Sequence, residues 1–275
     1  MMVITKIFNI IRVIKTVIKH NLSSSFKRAI LRGYLRYNVF NNFYSKNKVI
    51  PLLDLKIKYS VYGGFTYAFN DIFINNEYWF KAENNSPFII DCGSNIGLSV
   101  LYFKQLYPNS TIIAFEPDID AYDCLSFNVN QNNFLNVELH NKALSKIETI
   151  LKLSYEKDRP GSIRSTTENS SLASYREVEA VKLSSYINGP VDFMKMDIEG
   201  AETPVFQELQ DSNKLKYIKH IVLEYHHHMS DTTDCLSVIL GILEANNFSY
   251  QLHTTNSTQS NVSEPQLIMI QAIQK

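Results

Sequence analysis

The sequence predicts an α/β fold: a mostly parallel sheet with helices on both faces, preceded by a basic helical and extended N-terminal extension. Three observations carry this. From Phe88 onward, short apolar runs of strand length alternate with segments of helical length. A turn with two glycines, Asp91-Cys92-Gly93-Ser94-Asn95-Ile96-Gly97, joins the first run to the first helix. An acidic residue, Glu116, closes the second run. With 275 residues, 45% hydrophobic and 20% charged, the chain can bury a core and is not of disordered composition. Residues 1–85 are assigned to the extension and 86–275 to the α/β domain.

The elements follow in order. Residues 3–19 read as an amphipathic helix. Ile4, Ile7, Phe8, Ile11, Ile14 and Ile18 share one face by 3.6-residue spacing, Lys6, Arg12 and Lys19 lie off it, and Lys15 sits at its edge. Helix resumes after a break at Asn21 to Ser25 and reaches about residue 48. Residues 55–80 read as extended, with alternation from Lys56 to Val61, a turn at Gly63-Gly64 and an aromatic run from Phe65 to Phe69. The aromatics of 62–80, Trp79 among them, serve either core packing or stacking on a sugar ring. Asn84 to Pro87 is a polar break.

Phe88 to Ile90 is then a strand ending at Asp91, and Ile96 to Leu106 a helix stopped before Pro108. Thr111 to Phe115, Val137 to His140, Val191 to Met196 and His220 to Leu223 are the next strands, and Asp118 to Asn130 is a helix. Thr203-Pro204 is expected to cap the helix after the fourth strand, with proline at the tolerated first position. Thr232 to Asn246 is a helix, and Phe248 to Leu252 and Gln266 to Ala272 are closing strands that can form an antiparallel edge. The Ser/Thr-rich segment Gly161 to Tyr175, with Arg159, Arg164 and Arg176 nearby, reads as a surface loop or as a cover in which Arg164 holds an anionic acceptor.

Lysine plus arginine equals aspartate plus glutamate, 27 against 27, but the charges are segregated. No acidic residue precedes Asp54, whereas Lys6, Arg12, Lys15, Lys19, Lys27, Arg28, Arg32, Arg36, Lys46 and Lys48 do. A basic extension on an acidic body is either a solvated helical segment or a contact for an anionic partner, such as a membrane surface or charged glycan. No apolar stretch is long enough for a transmembrane helix. The N-terminus is not a signal peptide by pattern, because Arg12 and Lys15 interrupt its apolar run. The three cysteines, Cys92, Cys124 and Cys235, suggest no disulfide framework. The expected location is cytoplasmic, with peripheral membrane contact through residues 3–19 as a further option. The acidic body and the absence of an Asn-Pro-Pro-aromatic motif argue against a nucleic-acid partner.

In an open α/β sheet a ligand sits beyond the carboxyl ends of the strands. There the glycines of the 91–97 loop let backbone approach a ligand closely. The G-x-G-x-x-G phosphate fingerprint is incomplete, and Asp91 would repel a pyrophosphate. The loop therefore suits a ligand with a cationic centre better than a dinucleotide. Glu116 can accept hydrogen bonds from two vicinal ribose hydroxyls. Asp197, Glu199 and Glu202 follow the fourth strand, and Glu224, Tyr225 and His226 occupy the equivalent end of the fifth. This cluster suits proton removal by His226, with Asp197 orienting cofactor or acceptor. The alternatives are a divalent metal held by Asp197, Glu199, Glu224 and His226, or a structural turn in which Glu199 caps a helix. Adjacent histidines in His226-His227-His228 point to opposite sides of an extended segment, so all three cannot face one metal.

From about Phe88 to His226 the ordered series resembles the FkbM family of S-adenosylmethionine-dependent methyltransferases. The resemblance runs through Asp91 to Gly97, Ala114-Phe115-Glu116-Pro117, Leu125-Ser126-Phe127-Asn128, Lys142-Ala143-Leu144, Lys195-Met196-Asp197-Ile198-Glu199-Gly200-Ala201-Glu202 and Glu224-Tyr225-His226. Ser94 stands where the family commonly has alanine, and Ser184-Ser185 where it tends to have aspartate. The resemblance implies a Rossmann-like class I methyltransferase fold with S-adenosylmethionine as cofactor. On the reading of the residues themselves, Asp91, Gly93, Asn95, Gly97, Glu116 and Asp197 would bind it, and His226 and Asp197 would be catalytic. The methyl acceptor would be a hydroxyl of a glycan or small secondary metabolite. A nicotinamide-dependent oxidoreductase, or a non-catalytic membrane- or partner-binding protein on the same fold, are the competing readings.

Overall fold

The computed structural model describes residues 2–39, 48–156, 159–164, 174–227, 235–254 and 266–275. The extension opens with α1 (Met2–Lys19) and α2 (Ser24–Tyr34), the latter capped by the Ser23 hydroxyl accepting from Phe26 N–H and continued by a π-helical turn at Leu35–Val39. A hairpin follows, β1 (Val49–Leu52) and β2 (Leu55–Lys58), turned by Leu53 and Asp54, both at positive φ as a type I′ turn requires. Next come α3 (Tyr62–Phe69) and a π-helical turn at Asn70–Ile74.

This corrects the extended reading of 55–80: strand stops at Lys58, and Gly63-Gly64 lies in the first turn of α3. The reason is burial. Phe65, Phe69 and Phe73 recur every four residues and stack on one another along one helical face, with ring centroids 6.2 and 5.2 Å apart. Trp79 is partly buried against the same core.

The body begins with β3 (Phe88–Cys92), α4 (Leu98–Leu106), β4 (Thr111–Phe115), α5 (Ile119–Gln131) and β5 (Val137–His140). Then β6 (Ala143–Leu144), β7 (Thr149–Glu156), β8 (Arg159–Arg164) and β9 (Ser174–Val181) form a separate four-stranded sheet in the order β6-β9-β7-β8. The Gly161 to Tyr175 segment is thus partly strand rather than loop; residues 165–173 and the Arg164 side chain lie outside what the structure describes. Arg176 pairs with Asp120 at 2.9 Å. The chain closes with β10 (Val191–Met196), α6 (Glu202–Asp211), β11 (Ile218–His227), α7 (Leu236–Ala245), β12 (Phe248–Thr254) and β13 (Gln266–Gln274).

The main sheet has the order β12-β13-β11-β10-β3-β4-β5. Its strands are parallel except β13, which runs antiparallel to both β11 and β12, so the closing strands do form the antiparallel edge. The chain adopts the expected Rossmann-like class I methyltransferase architecture. Strand order reverses between β3 and β10, which opens a crevice at their carboxyl ends.

Alternation along the strands separates two apolar layers. Ile89, Phe193 and Val222 face α4, α5 and the extension, while Ile90, Met194, Ile221 and Leu223 face α6 and α7. α4 is buried from Leu98 to Lys104, because the extension covers its outer side. Phe80 stacks on Phe193 at 4.4 Å, and the Tyr102 hydroxyl donates to Asn76. Two boundaries differ from expectation. α6 starts at Glu202 with Ala201 as its flanking residue, so Thr203 is not the cap, and Pro204 sits within the first turn, where its missing N–H costs nothing. β11 continues to His227, so Glu224 and His226 are strand residues. On α1 the residues that pack inward are Val13 and Val17, not the isoleucine face. His228 and Thr232 lie outside the described residues.

Candidate active site

The loop after β3 hangs from the end of β4: Gly93 and Ser94 N–H both donate to the Phe115 carbonyl, at 3.0 and 2.8 Å. Gly93 has φ +83°, and a Cβ built on it would lie 1.8 Å from the Asp197 carbonyl oxygen, so this close approach admits only glycine. Gly97, at φ +85°, turns the chain into α4. Asn95 N–H donates to Glu116 Oε2 at 2.7 Å, and Asp118 N–H donates to Oε1 at 2.8 Å. Glu116 is thereby held inward beneath the loop. Burial pushes its carboxyl up to about 8, against the lowering effect of the two backbone donors.

Several of these groups line a cleft. Gly93, Asn95, Glu116, Asp197 and Glu199 contribute to its polar lining; Phe115 and Leu144, with Leu151 and Leu153 from the inserted sheet, contribute to its apolar lining. Asp91 and Gly97, also expected to touch a cofactor, are not among its lining residues. Asp91 is fully buried, its Oδ2 accepting from the Ser99 hydroxyl and its Oδ1 3.7 Å from Lys195 Nζ.

Lys195 ties the strand ends together. Its ammonium donates to the Gly93 carbonyl and lies 3.3 Å from Asp197 Oδ2, with the Tyr78 ring 5.6 Å away. Burial opposes its charge, but Asp197, Tyr78, Asp91 and Glu224 together hold it protonated well above the ordinary lysine range. Sequence reasoning places Lys195 within a motif and gives it no role. The available signal is one cation near the end of β10, whose residues are all buried and whose other charged residue is Asp192.

His226 lies at the mouth beside β10. Its Nδ1 is 3.1 Å from Glu202 Oε1, and its Nε2 is 3.3 Å from Glu199 Oε2 and 4.0 Å from Asp197 Oδ1. Glu202 also accepts from Ile198 and Gly200 N–H, which fixes the turn between them. A role for His226 as base requires a near-neutral imidazole. Here burial lowers its proton affinity, but the Glu202 hydrogen bond and the charges of Glu202, Glu199 and Asp197 outweigh it and push the ring up to about 10. At neutral pH His226 is an imidazolium, with its proton already in place. Glu199 stands at φ +54°, an uncommon conformation for a residue with a side chain. Its carboxyl is raised by burial and lowered by His226. Asp197, Glu199 and His226 present ligating atoms within 4.8 Å of one another; Glu224 is not in that group.

The extension supplies further residues that the sequence does not single out. Burial, with Asp71 and Asp197 nearby, pushes Glu77 up to about 7. Burial and Asp197 push Glu224 up to about 8, with His226 and Lys195 pulling the other way. Tyr78 and Glu77 therefore belong electrostatically to the same cluster as the β10 and β11 ends.

The methyltransferase FkbM domain matches residues 91–250. "Methyltransferase 1" of Beauveria bassiana (strain ARSEF 2860) is 27% identical over 201 residues, 65% of this chain and 79% of that protein. "Methyltransferase sdnD" of Sordaria araneosa is 30% identical over 192 residues, 58% of this chain and 73% of that one. A crystal structure of methyltransferase FkbM from Methylobacillus flagellatus KT aligns with 97% of this chain at 15% identity and a TM-score of 0.47, and this chain spans 60% of its length. The matched domain covers more than half of the sequence, and the chain belongs to the FkbM family of methyltransferases.

Proposed function

We propose that the chain binds S-adenosylmethionine in the cleft beneath the 93–97 loop and methylates a hydroxyl of a glycan or small secondary metabolite. The observation that carries this reading is the cleft lined by both polar and apolar side chains, to which the Asp197, Glu199 and His226 cluster contributes Asp197 and Glu199. Its apolar lining suits a flat base. The carboxylate oxygens of Glu116 retain lone pairs beyond those used by Asn95 and Asp118, and these can accept from ribose hydroxyls. The carboxylate-lined mouth disfavours a dinucleotide pyrophosphate, which argues against the nicotinamide alternative.

When bound, S-adenosylmethionine supplies an electrophilic methyl group on a positively charged sulfur. The chain's contribution is to align an acceptor oxygen with it and to take the hydroxyl proton. Glu199 lines the cleft, burial raises its carboxyl above the ordinary value, and His226 lies 3.3 Å from it. We therefore assign proton acceptance to Glu199. His226 becomes a positioning residue that bridges Glu199 and Glu202, and Asp197 orients the cationic end of the cofactor. Calorimetry with S-adenosylhomocysteine tests the cofactor assignment. The intact protein should bind it, and Glu116→Ala should weaken binding by about 10-fold or more, since each lost hydrogen bond costs about 1 kcal/mol and Glu116 can accept two. Absence of binding by the intact protein, or equal affinity of the variant, would overturn the reading.

A further inference from the structure

α1 carries an apolar surface that neither the core nor the cleft uses. Ile7, Phe8, Ile11, Ile14 and Ile18 are between 37% and 67% exposed, whereas Val13 and Val17 on the same helix are buried. At 3.6 residues per turn, Ile7, Ile11, Ile14 and Ile18 fall within a stripe about 60° wide. Val13 and Val17 lie to one side of it and anchor the helix to the extension's core. On the other side Arg12, Lys15 and Lys19, all exposed, form a cationic row beside Phe8. The arrangement is an apolar ridge directed outward, with a row of positive charge along one flank and the fold along the other.

We propose that α1 lies in the surface of an anionic lipid bilayer, its isoleucine ridge among the acyl chains and Arg12, Lys15 and Lys19 at the headgroups. Charge decides between the occupants of such a face. No carboxylate precedes Asp54, so a second copy docked ridge to ridge would bring two cationic rows together with nothing from this segment to neutralise them. An anionic bilayer satisfies ridge and row at once. Exposed Arg28 and Arg32 on the neighbouring α2 add to the same positive field. Among the described residues no helix is long and apolar enough to cross a membrane, so the contact is interfacial.

The test is co-sedimentation of the full chain with vesicles of phosphatidylcholine alone or with added phosphatidylglycerol. Binding should appear only with the anionic lipid and weaken as salt is raised. The double variant Ile11→Asp/Ile18→Asp and the triple variant Arg12→Gln/Lys15→Gln/Lys19→Gln should each lower the partition coefficient at least tenfold. All of these side chains are exposed, so circular dichroism and S-adenosylhomocysteine binding should match the parent, and the outcome is independent of the proposed activity. Failure to bind anionic vesicles, or variants that bind like the parent, would overturn the proposal. So would a concentration-dependent dimer that Ile11→Asp/Ile18→Asp dissolves in a protein that ignores vesicles; that result would assign the ridge to a second copy.

Discussion

Replacing Gly93 by alanine tests whether the site depends on one close backbone approach. Two costs can be read from the structure. The φ of +83° penalises any L side chain by about 1–2 kcal/mol. The new methyl would also stand 1.8 Å from the Asp197 carbonyl oxygen. Comfortable carbon contacts lie near 3.5 Å, so that carbonyl must retreat by about 1.5 Å. The retreat strains the 3.0 Å bond from Asp197 N–H to the Cys92 carbonyl and draws Asp197 from Lys195. Overpacking of this kind costs about 1–3 kcal/mol and a lost hydrogen bond about 1 kcal/mol, for a total with the backbone cost of about 3–6 kcal/mol. Urea unfolding measures it, with Gly241→Ala as the comparison. Gly241 lies within α7 with open space around its Cβ position, and alanine there should add about 0.5–1 kcal/mol. A Gly93→Ala protein that loses under about 1 kcal/mol and binds S-adenosylhomocysteine like the parent would refute the reasoning.

Three further outcomes follow from the same geometry. Lys195→Met strips Asp91 and Asp197 of their shared cation and should cost about 3–5 kcal/mol by chemical denaturation; a neutral effect would show that the buried charges are otherwise compensated. His226 binds its proton more tightly folded than unfolded, so its stabilisation is complete below about pH 6.5 and is lost as pH rises through about 10. Thermal unfolding should show that decline, and Glu202→Gln should flatten it. Asn128 bonds both backbone groups of Lys58 and the Ile96 carbonyl, so it joins the extension to the cofactor loop. Asn128→Leu should cost about 2–4 kcal/mol and speed hydrogen exchange at the Lys58 amide, whereas unchanged exchange would show that β2 is held by other means.

Features built from residues close together in the chain are legible in the sequence. The strand–loop–helix unit at 88–106 is readable because strand burial has a short period and a glycine turn has few sterically allowed forms. Glu116 is readable for the same reason: the strand ahead of it fixes where a terminal carboxylate must stand. The 62–74 segment misleads because aromatic residues suit strand and helix alike. Only the partner surface, α4 and the core of the extension, selects the four-residue spacing of Phe65, Phe69 and Phe73.

The sequence by itself determined the succession of strands and helices in the main sheet, the glycine turn, the carboxylate at 116 and the segregation of basic residues ahead of Asp54. The tertiary structure alone decided the state of the chemistry. His226 is an imidazolium because Glu202, Glu199 and Asp197 converge on it, and Lys195 remains charged in the interior because Asp197, Tyr78, Asp91 and Glu224 surround it. Glu77 joins the cluster only because the extension folds over the strand ends. Local pattern follows from sterics and burial along a few neighbouring residues. Charge state follows from Coulomb interactions over a few ångströms, between groups that only folding brings to that distance.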